Sequence, residues 1–559
     1  MQQAFDRFYR HAELTAILGG YCERHPRLFS LESIGKSWEG RDIWVLAATN
    51  AATGPAAEKP AFWIDGNIHA GELTASTACL YYLHFLSEQY GKREDVTRLL
   101  DTTTVYLCPR INPDGAELAL ADKPRFIRSS TRPYPFDEDP VEGLTVEDID
   151  GDGRVLMMRL PDPNGGWKAH PEDSRLMIPR DPAEAGGEYW RILPEGTLDN
   201  FDGVEVRVNR DREGLDLNRN FPAQWRQESD QLGAGPYPVS EPEVRAVVEF
   251  FATHGNICTG ISFHTHSGVI LRPFSSQADE EMPAEDLWLY KKFGVKSEEL
   301  TGYPNISIFH EFRYHPKQVI SGGFDWIYEH LGQFFWTIEI WAPTKEAGIE
   351  KCHFIDWYRD HPPEDDLKLL RWSDKELDGK GYVAWYPFDH PQLGAVELGG
   401  WDKVATFRNP PPKYREREVQ RFPEWLTWQA LTLPRLALFK AESQALGKDT
   451  WQVRFAVANA GFLPTYVTKR ALERKITRGV VYEIVLPPGA ELVSGKPREE
   501  KGQLEGRASR TMLQAFLPDP NLTADRGQAE WTVRAPKGTV VTLRAHHERA
   551  GRVTHDLKL

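Results

Sequence analysis

The chain has 559 residues, of which 82 are acidic and 67 basic, giving a net charge of −15 at pH 7. One hydrophobic core rarely supports a chain of this length, so we expect two domains. The negative charge argues against nucleic acid or an anionic membrane as the main partner. The sequence also lacks an apolar run of about 18 residues, the length that a membrane-spanning helix requires.

Apolar strand-like and helix-like segments alternate through the first three quarters of the chain. The predicted strands are 43–48, 61–65, 104–108, 259–264 and 334–340, and the predicted helices are 72–90, 241–253, 285–299 and 324–331. This alternation is typical of an α/β domain with a central mixed sheet flanked by helices. We place that domain at residues 1–440.

A long insertion, about 117–210, interrupts this pattern and contains an acidic loop. Asp148, Asp150 and Asp152 have the spacing of a calcium-binding loop, with glycine at the sixth position. Position twelve is Arg159, so a further carboxylate such as Asp162 has to contribute if Ca²⁺ binds. The alternative is an acidic solvated turn.

From about residue 441 the pattern changes to short alternating strands separated by Gly, Pro and Asp turns. The clearest of them are Val480–Val485, Ala529–Val533, Val540–Ala545 and Arg552–Leu557. We predict a C-terminal, all-β, sandwich-like accessory domain at 441–559. It contains no catalytic constellation, so we expect it to act as a scaffold or to orient a substrate.

The cysteines and the first residues bear on cellular location. Five cysteines is a small and odd number, and most lie in apolar segments, as expected for buried thiols; they are Cys22, Cys79, Cys108, Cys258 and Cys352. The opening residues lack the basic-then-apolar pattern of a secretory signal. Both observations favour a cytoplasmic location.

A histidine and a carboxylate follow the strand predicted at 61–65. His69 and Glu72 are three residues apart and can converge on one metal ion. Hydrolytic zinc sites use three protein ligands and keep a fourth position for water. His264, at the end of the strand predicted at 259–264, is the third candidate ligand, and His266 on the same face of the strand is the alternative.

Two other segments carry polar groups suited to substrate chemistry. Asn218 and Arg219 lie in a tight polar segment, where a guanidinium fork suits two-point binding of a carboxylate. Glu339 is a single carboxylate within a run of large apolar residues. A buried acid with a shifted pKa is what a general base in a dry site requires, and an exposed edge-strand charge is the alternative.

Together these segments resemble the zinc carboxypeptidases that are similar to carboxypeptidase A. The matching blocks, in order, are HAGE at 69–72, NPDG at 112–115, GLDLNRNF at 214–221, FHTHS at 263–267, SGGFDW at 321–326 and TIE at 337–339. The resemblance covers about residues 1–345.

The resemblance assigns roles residue by residue. It implies that His69, Glu72 and His264 bind a catalytic Zn²⁺, and that Asp216 orients His69. It further implies that Asn218 and Arg219 bind the terminal carboxylate of a peptide, that Arg128 stabilises the oxyanion, and that Glu339 is the catalytic base. The expected activity is therefore that of a metallocarboxypeptidase. The alternatives are a zinc amidase or deacylase acting on a small acylated amino acid or cell-wall peptide, and a catalytically inactive binding module.

Three positions depart from the family pattern. Gly71 stands where digestive members have an arginine, so one substrate contact upstream of the cut is missing. The mobile tyrosine expected three residues before SGG is replaced by Gln318, with Tyr314 and His315 slightly upstream. Phe324 at the specificity position favours an aromatic or aliphatic last residue, whereas Arg272 in the same pocket would favour an acidic one.

Overall fold

The computed structural model describes residues 4–138, 142–313, 320–350, 352, 354–510, 512–517 and 521–559. The helices are α1 (His11–Arg24), α2 (Leu73–Gln89), α3 (Glu94–Thr102), α4 (Pro113–Ala119), α5 (Pro242–Thr253), α6 (Ala284–Thr301), α7 (Ile308–Glu311), α8 (Gly323–Leu331), α9 (Pro343–Glu346), α10 (Phe354–Trp357), α11 (Pro363–Glu376), α12 (Pro412–Val419), α13 (Pro423–Ala430) and α14 (Lys469–Arg474). The predicted helices are confirmed as α2, α5, α6 and α8.

The strands are numbered in the same way. They are β1 (Phe29–Lys36), β2 (Asp42–Ala48), β3 (Ala61–Gly66), β4 (Thr104–Cys108), β5 (Gly143–Val146), β6 (Met157–Pro161), β7 (Trp167–Ala169), β8 (Met177–Pro179), β9 (Trp190–Pro194), β10 (Gly196–Asp199), β11 (Ile257–Thr265), β12 (Val269–Arg272), β13 (Asn305–Ser307), β14 (Phe334–Ile340), β15 (Tyr382–His390), β16 (Gly394–Trp401), β17 (Leu436–Gly447), β18 (Thr450–Asn459), β19 (Val481–Val485), β20 (Glu491–Ser494), β21 (Arg498–Glu500), β22 (Arg526–Arg534), β23 (Val540–His547) and β24 (Gly551–Lys558).

An eight-stranded mixed sheet, in the order β1-β2-β4-β3-β11-β14-β12-β13, forms the centre of the first domain. The four middle strands β4, β3, β11 and β14 are parallel, and antiparallel pairs join β1 to β2, β2 to β4 and β12 to β14. The predicted α/β class and central mixed sheet are confirmed. Because the middle strands are parallel, their carboxyl ends lie at one edge of the sheet, where ligands bind in open α/β folds.

Helices cover both faces of this sheet, which explains why its middle strands are continuous apolar runs. In β3, Phe62 and Ile64 pack into the core that includes α2, whereas Trp63 faces the other way. The Trp63 ring lies 5.3 Å from Phe250 and 4.9 Å from Phe251 of α5, measured between ring centroids. Burying each such side chain contributes about 1.5–3 kcal/mol, so the alternation along β3 fixes which residues face each layer.

The insertion is folded rather than a long irregular loop. Its strands β6 to β9 join β15 and β16 in a second sheet, ordered β15-β16-β6-β9-β7-β8, and β5 pairs with β10. Leu398 of β16 lies opposite Met158 of β6, and both are buried in a small apolar core. Arg159 Nε donates to Glu397 Oε2 at 2.7 Å across the same pair of strands. The insertion is thereby joined to a hairpin more than 200 residues further along the chain.

The C-terminal part consists of two four-stranded antiparallel sheets, β17-β18-β22-β20 and β21-β19-β23-β24. Their shared core includes Phe455, Tyr482, Trp531 and Leu543. The predicted all-β character is confirmed. Strand β17 begins at Leu436, slightly before the expected boundary at 441, and the division into two domains stays a prediction.

The C-terminal part is fastened to the end of helix α8 by a buried arginine. Arg549, 2% exposed, donates to the carbonyl oxygens of Leu331, Gly332 and Tyr466. Thr468 Oγ1 also donates to Gly332 O at 2.9 Å. These bonds satisfy carbonyl groups that a helix end otherwise leaves without partners. The position of α8 therefore depends on the C-terminal part.

The cysteines form no disulfide bonds. All five are free thiols, and Cys79, Cys108 and Cys258 are buried as expected. Within the described residues, the helices are too short or too polar to cross a membrane.

Candidate metal centre

The predicted zinc ligands meet at the carboxyl ends of β3 and β11. His69 lies in the turn after β3, and Glu72 stands immediately before the first residue of α2. His264 lies on β11, one residue beyond Phe263, which pairs with Gly66 of β3. Adjacent parallel strands thus bring side chains that are 195 residues apart to one point.

The ligand atoms of these three residues are close together and buried. His69 Nδ1 lies 3.0 Å from Glu72 Oε1, and His264 Nδ1 lies 3.0 Å from Glu72 Oε2. The two Nδ1 atoms are 3.1 Å apart. The three residues are only 2–4% exposed. The structure thus brings the three predicted residues into one cluster, with His264 rather than His266 in it.

The chemistry of this donor set fits a divalent cation. Glu72 Oε2 is buried and accepts no hydrogen bond, although it faces His264. Burial by itself would raise the pKa of the Glu72 carboxyl, but His69 and His264 hold that pKa well below its usual range. Two imidazole nitrogens and one carboxylate are a typical ligand set for catalytic zinc.

Asp216 fixes the orientation of His69. Its Oδ1 lies 3.3 Å from His69 Nε2, so an Nε2–H donor leaves Nδ1 with a lone pair directed at the cluster. Asp216 Oδ2 accepts from Arg128 Nε at 2.8 Å. Burial tends to raise the pKa of Asp216, but Arg128 and Arg219 keep it well below its ordinary value. Asp216 is therefore an anion that can hold both the imidazole and Arg128.

Glu339 lies beside the cluster on the neighbouring strand. It pairs with His264 across the parallel β11 and β14 strands. Its side chain lines a cavity of about 320 Å³ together with His69 and Glu72. Burial raises the pKa of Glu339 to about 7, which His264 partly counteracts. The predicted acid in an apolar strand is therefore at the cluster, in the environment that a general base requires.

Two arginines border the same carboxylate. Arg128, the predicted oxyanion residue, places Nη1 3.8 Å from Glu72 Oε1. Arg408, which was not predicted from the sequence, places Nη1 3.3 Å from the same oxygen. Arg408 ends a π-helical turn, Lys403–Arg408, outside every motif that the sequence offers. We find no sequence signal that would have selected it.

Asn409 attaches this turn to the residues on either side of Glu72. Its Oδ1 accepts from Thr74 N at 3.0 Å and from Thr74 Oγ1 at 2.9 Å. Its Nδ2 donates to Gly71 O at 2.8 Å. Asn409 is fully buried, so Arg408 is held against the turn that carries Glu72.

The predicted carboxylate-binding pair lies on the other side of Asp216. Asn218 Oδ1 accepts from Gly323 N at 2.9 Å, at the start of α8. Arg219 Nη1 donates to the Asn218 carbonyl at 2.9 Å, and Nη2 lies 3.9 Å from Asp216 Oδ2. Its side chain is 16% exposed. Residues Tyr314, His315 and Gln318, which concern the mobile tyrosine, lie outside the described residues.

Three further predicted residues lie outside the cluster itself. Phe324 is buried in the core beneath the sheet, and its role in specificity stays a prediction. Arg272 forms a two-point ion pair with Asp279 at 2.7 Å, which neutralises the charge that would have favoured an acidic substrate. His266 lines the cavity with Tyr358, whose ring centroid lies 5.4 Å away.

The acidic loop differs from the calcium-loop prediction in its third carboxylate. Asp148, Asp150 and Glu195 bring their oxygens within 4.8 Å of one another. Asp152 instead pairs with Arg154, and Asp162 pairs with Arg191. The sequence could not indicate Glu195, because β-sheet pairing brings it to the loop.

The loop's own backbone supplies partners for these carboxylates. Asp148 accepts from Gly151 N at 2.7 Å and Gly153 N at 2.8 Å. Glu195 accepts from Ile149 N at 2.9 Å and Leu156 N at 2.7 Å. The conformation is thus explained without an ion, and calcium binding stays a prediction.

Comparison with known families assigns the first domain. The model of the zinc carboxypeptidase family matches residues 14–144 and 191–356, just over half of the chain. The chain belongs to the zinc carboxypeptidase family. Residues 435–558 match a domain of unknown function.

Individual zinc carboxypeptidases are distant from this chain. Carboxypeptidase B2 of Rattus norvegicus is 24% identical over 345 residues, covering 60% of this chain and 63% of the relative. Carboxypeptidase A1 of Mus musculus is 24% identical over 321 residues, covering 56% and 58%. The alignments thus span less than two thirds of each relative's own length. The crystal structure of carboxypeptidase A from Helicoverpa armigera is 19% identical, covers 67% of this chain and 76% of that one, and has a TM-score of 0.39.

We predict that His264→Ala abolishes stoichiometric zinc binding, whereas His266→Ala retains about one zinc ion per chain. The reason is that His264 Nδ1 faces Glu72 and His69, while His266 only lines the cavity. Zinc content after dialysis, measured by plasma mass spectrometry on folded protein, checks this. Loss of zinc in His266→Ala but not in His264→Ala would reverse the ligand assignment.

Proposed function

We propose that the protein is a zinc-dependent metallocarboxypeptidase that hydrolyses the C-terminal peptide bond of peptides. The convergence of His69, Glu72 and His264 beside Glu339 supports this proposal most directly. Membership of the zinc carboxypeptidase family supports it independently.

The metal cluster and the acid next to it would perform the hydrolysis. Zinc held by His69, Glu72 and His264 supplies Lewis acidity, which activates water and polarises a carbonyl group. Glu339 accepts the proton of the attacking water and then delivers it to the leaving amine nitrogen. Burial, which raises the pKa of Glu339, makes its carboxylate a better proton acceptor and so suits this double role.

The arginines would act on charge that develops or resides on the substrate. Arg128 donates hydrogen bonds to the carbonyl oxygen as it becomes negative, while its Nε–Asp216 bond holds the guanidinium in place. Arg219 and Asn218 bind the terminal carboxylate. This contact would limit cleavage to the last peptide bond, because the carboxylate has to lie one residue beyond the bond under attack.

The amidase or deacylase alternative uses the same metal, the same base and the same Arg128. Asn218 and Arg219 suit a free carboxylate in either kind of substrate. The two functions differ in whether cleavage requires a peptide with a free C-terminus.

We expect Glu339→Gln to lower kcat by about 10² or more while zinc and peptide still bind. Glutamine preserves the size of the side chain but cannot accept a proton from water. Steady-state kinetics, with zinc content and calorimetric peptide binding as controls, measure this. A variant with near-normal kcat would remove Glu339 from the mechanism.

Arg219→Ala should weaken the preference for a free over an amidated C-terminus. Loss of a charge-assisted contact is expected to lower kcat/KM for the free peptide, by an amount that corresponds to roughly 2 kcal/mol or more in transition-state free energy. Paired free and amidated peptides, followed by mass spectrometry for loss of one residue, measure the preference. Arg219→Lys is the matched control, because it keeps the charge but loses the two-point fork.

Two outcomes would replace the exopeptidase proposal by the amidase or deacylase. One is a wild-type enzyme that cleaves amidated peptides as fast as free ones. The other is an Arg219→Ala variant whose preference is unchanged.

A further inference from the structure

A cavity of about 680 Å³ opens where helix α6 meets the C-terminal part. Ala284, Trp288 and Leu289 of α6 form one side of it, and Pro464 and Val467 belong to the other. Small-molecule sites occupy about 300–1,000 Å³ and often lie between packed units of a chain. The described residues that line this cavity do not line the one at the metal centre. It therefore has the size and the position of a separate small-molecule site.

The C-terminal side of this cavity lies outside the zinc carboxypeptidase match. Its lining residues on that side fall between 464 and 524, whereas the family match ends at residue 356. They belong to the segment 435–558, which matches a domain of unknown function. The cavity therefore exists because these two parts of the chain pack together.

Part of the lining is apolar. Trp288, Leu289, Val467 and Ala508 contribute to it. Leu289, Val467 and Ala508 are buried, whereas Trp288 is 43% exposed, so part of its indole surface faces space that a ligand can fill. An apolar group that covers this surface removes it from water, which favours binding.

The rest of the lining is strongly polar. Its charged residues are Glu285, Asp286, Lys469, Glu505 and Arg510. Asp286 accepts from the first two backbone N–H groups of α14, at 2.7 and 3.0 Å. Glu505 accepts from the Tyr466 hydroxyl at 3.0 Å, and Arg510 donates to a backbone carbonyl at 2.8 Å. These three side chains are therefore engaged in contacts that hold the C-terminal part together or fasten it to α6.

Lys469 and Glu285 form a looser pair of opposite charges at the same cavity. Lys469 Nζ lies 3.9 Å from Glu285 Oε1, and the two side chains are 35% and 66% exposed. An exposed pair at this separation contributes little to stability, so its two members can turn to other partners at low cost. A ligand that carries both a carboxylate and an ammonium group would give each of them a partner of opposite charge.

We propose that this cavity binds a small zwitterion with an apolar body, the chemical class to which free aromatic and branched-chain amino acids belong. The apolar body packs against Trp288 and Leu289. The carboxylate of the ligand pairs with Lys469, and its ammonium group pairs with Glu285. The site uses no residue of the metal centre, so it does not depend on the proposed hydrolase function.

Calorimetric titration with L-phenylalanine tests this proposal. The protein titrated is Arg219→Ala, in which the predicted carboxylate contact at the metal centre is removed, and saturable binding of one molecule per chain is expected. Phenylalaninamide lacks the carboxylate and N-acetylphenylalanine lacks the ammonium group, so each should bind about fivefold or more weakly. Glycine has both charges but no apolar body and should show no saturable binding.

Two variants fill the cavity from opposite sides. Ala284→Trp acts from α6 and Ser509→Trp from the C-terminal part; both residues line the cavity and are exposed, so a larger side chain need not disturb the core. Each should weaken phenylalanine binding by about tenfold or more, and the second guards against a folding defect in the first. Val295→Trp is the matched control, because Val295 is also on α6, is 72% exposed and does not line the cavity.

Binding that survives Arg219→Ala and Val295→Trp but is lost in both cavity-filling variants would establish the site. The proposal is overturned if phenylalanine binds only when Arg219 is present, or binds equally well after the cavity is filled from either side. Failure of the Arg219→Ala protein to bind phenylalanine, or equal binding of phenylalanine and its two derivatives, would also overturn it. Because each readout is a binding constant, the result is independent of whether the protein hydrolyses peptides.

Discussion

The carboxylate of Glu72 is a buried negative charge, and the arrangement of the whole site follows from how that charge is balanced. It is 2% exposed and is surrounded by two imidazoles and two guanidinium groups. An isolated carboxylate in such surroundings would be protonated, since burial disfavours the charged form. The cluster instead keeps Glu72 ionised, as a metal ligand has to be. The same positive groups, Arg128 and Arg408, also border the space that a substrate would occupy.

The fold makes this concentration of charge possible because the carboxyl ends of adjacent parallel strands meet at one edge of the sheet. The parallel strands β3, β11 and β14 supply or directly precede His69, His264 and Glu339. Asp216 then couples His69 to Arg128, so the imidazole and the predicted oxyanion residue share one acceptor. The helix that borders this region, α8, is held at its start by Asn218 and at its end by Arg549 of the C-terminal part. The C-terminal part thereby holds one end of α8 and supplies no residue to the cluster of His69, Glu72 and His264.

The sequence predicted the metal cluster well because its members lie at motif positions on strand ends. A histidine and a carboxylate after one strand, and a histidine at the end of another, are visible without the structure. Arg408 and Glu195 were not predictable, because their positions depend on pairings between segments far apart in the chain. Arg408 reaches Glu72 across 336 residues, and no periodicity or motif marks that contact. For the same reason the sequence did not indicate that the insertion is folded, since its partner strand β16 lies far along the chain. Sequence patterns thus specified local elements and their ends, but not the contacts between segments that lie far apart in the chain.

Anomalous X-ray diffraction at the zinc absorption edge, on crystals of protein purified without added metal, tests the central claim most directly. We predict one strong anomalous peak within coordination distance, about 2.0–2.2 Å, of His69 Nδ1, His264 Nδ1 and a Glu72 oxygen. A well-ordered structure of active protein with no peak there, or with its zinc bound by His266 instead of His264, would contradict this claim.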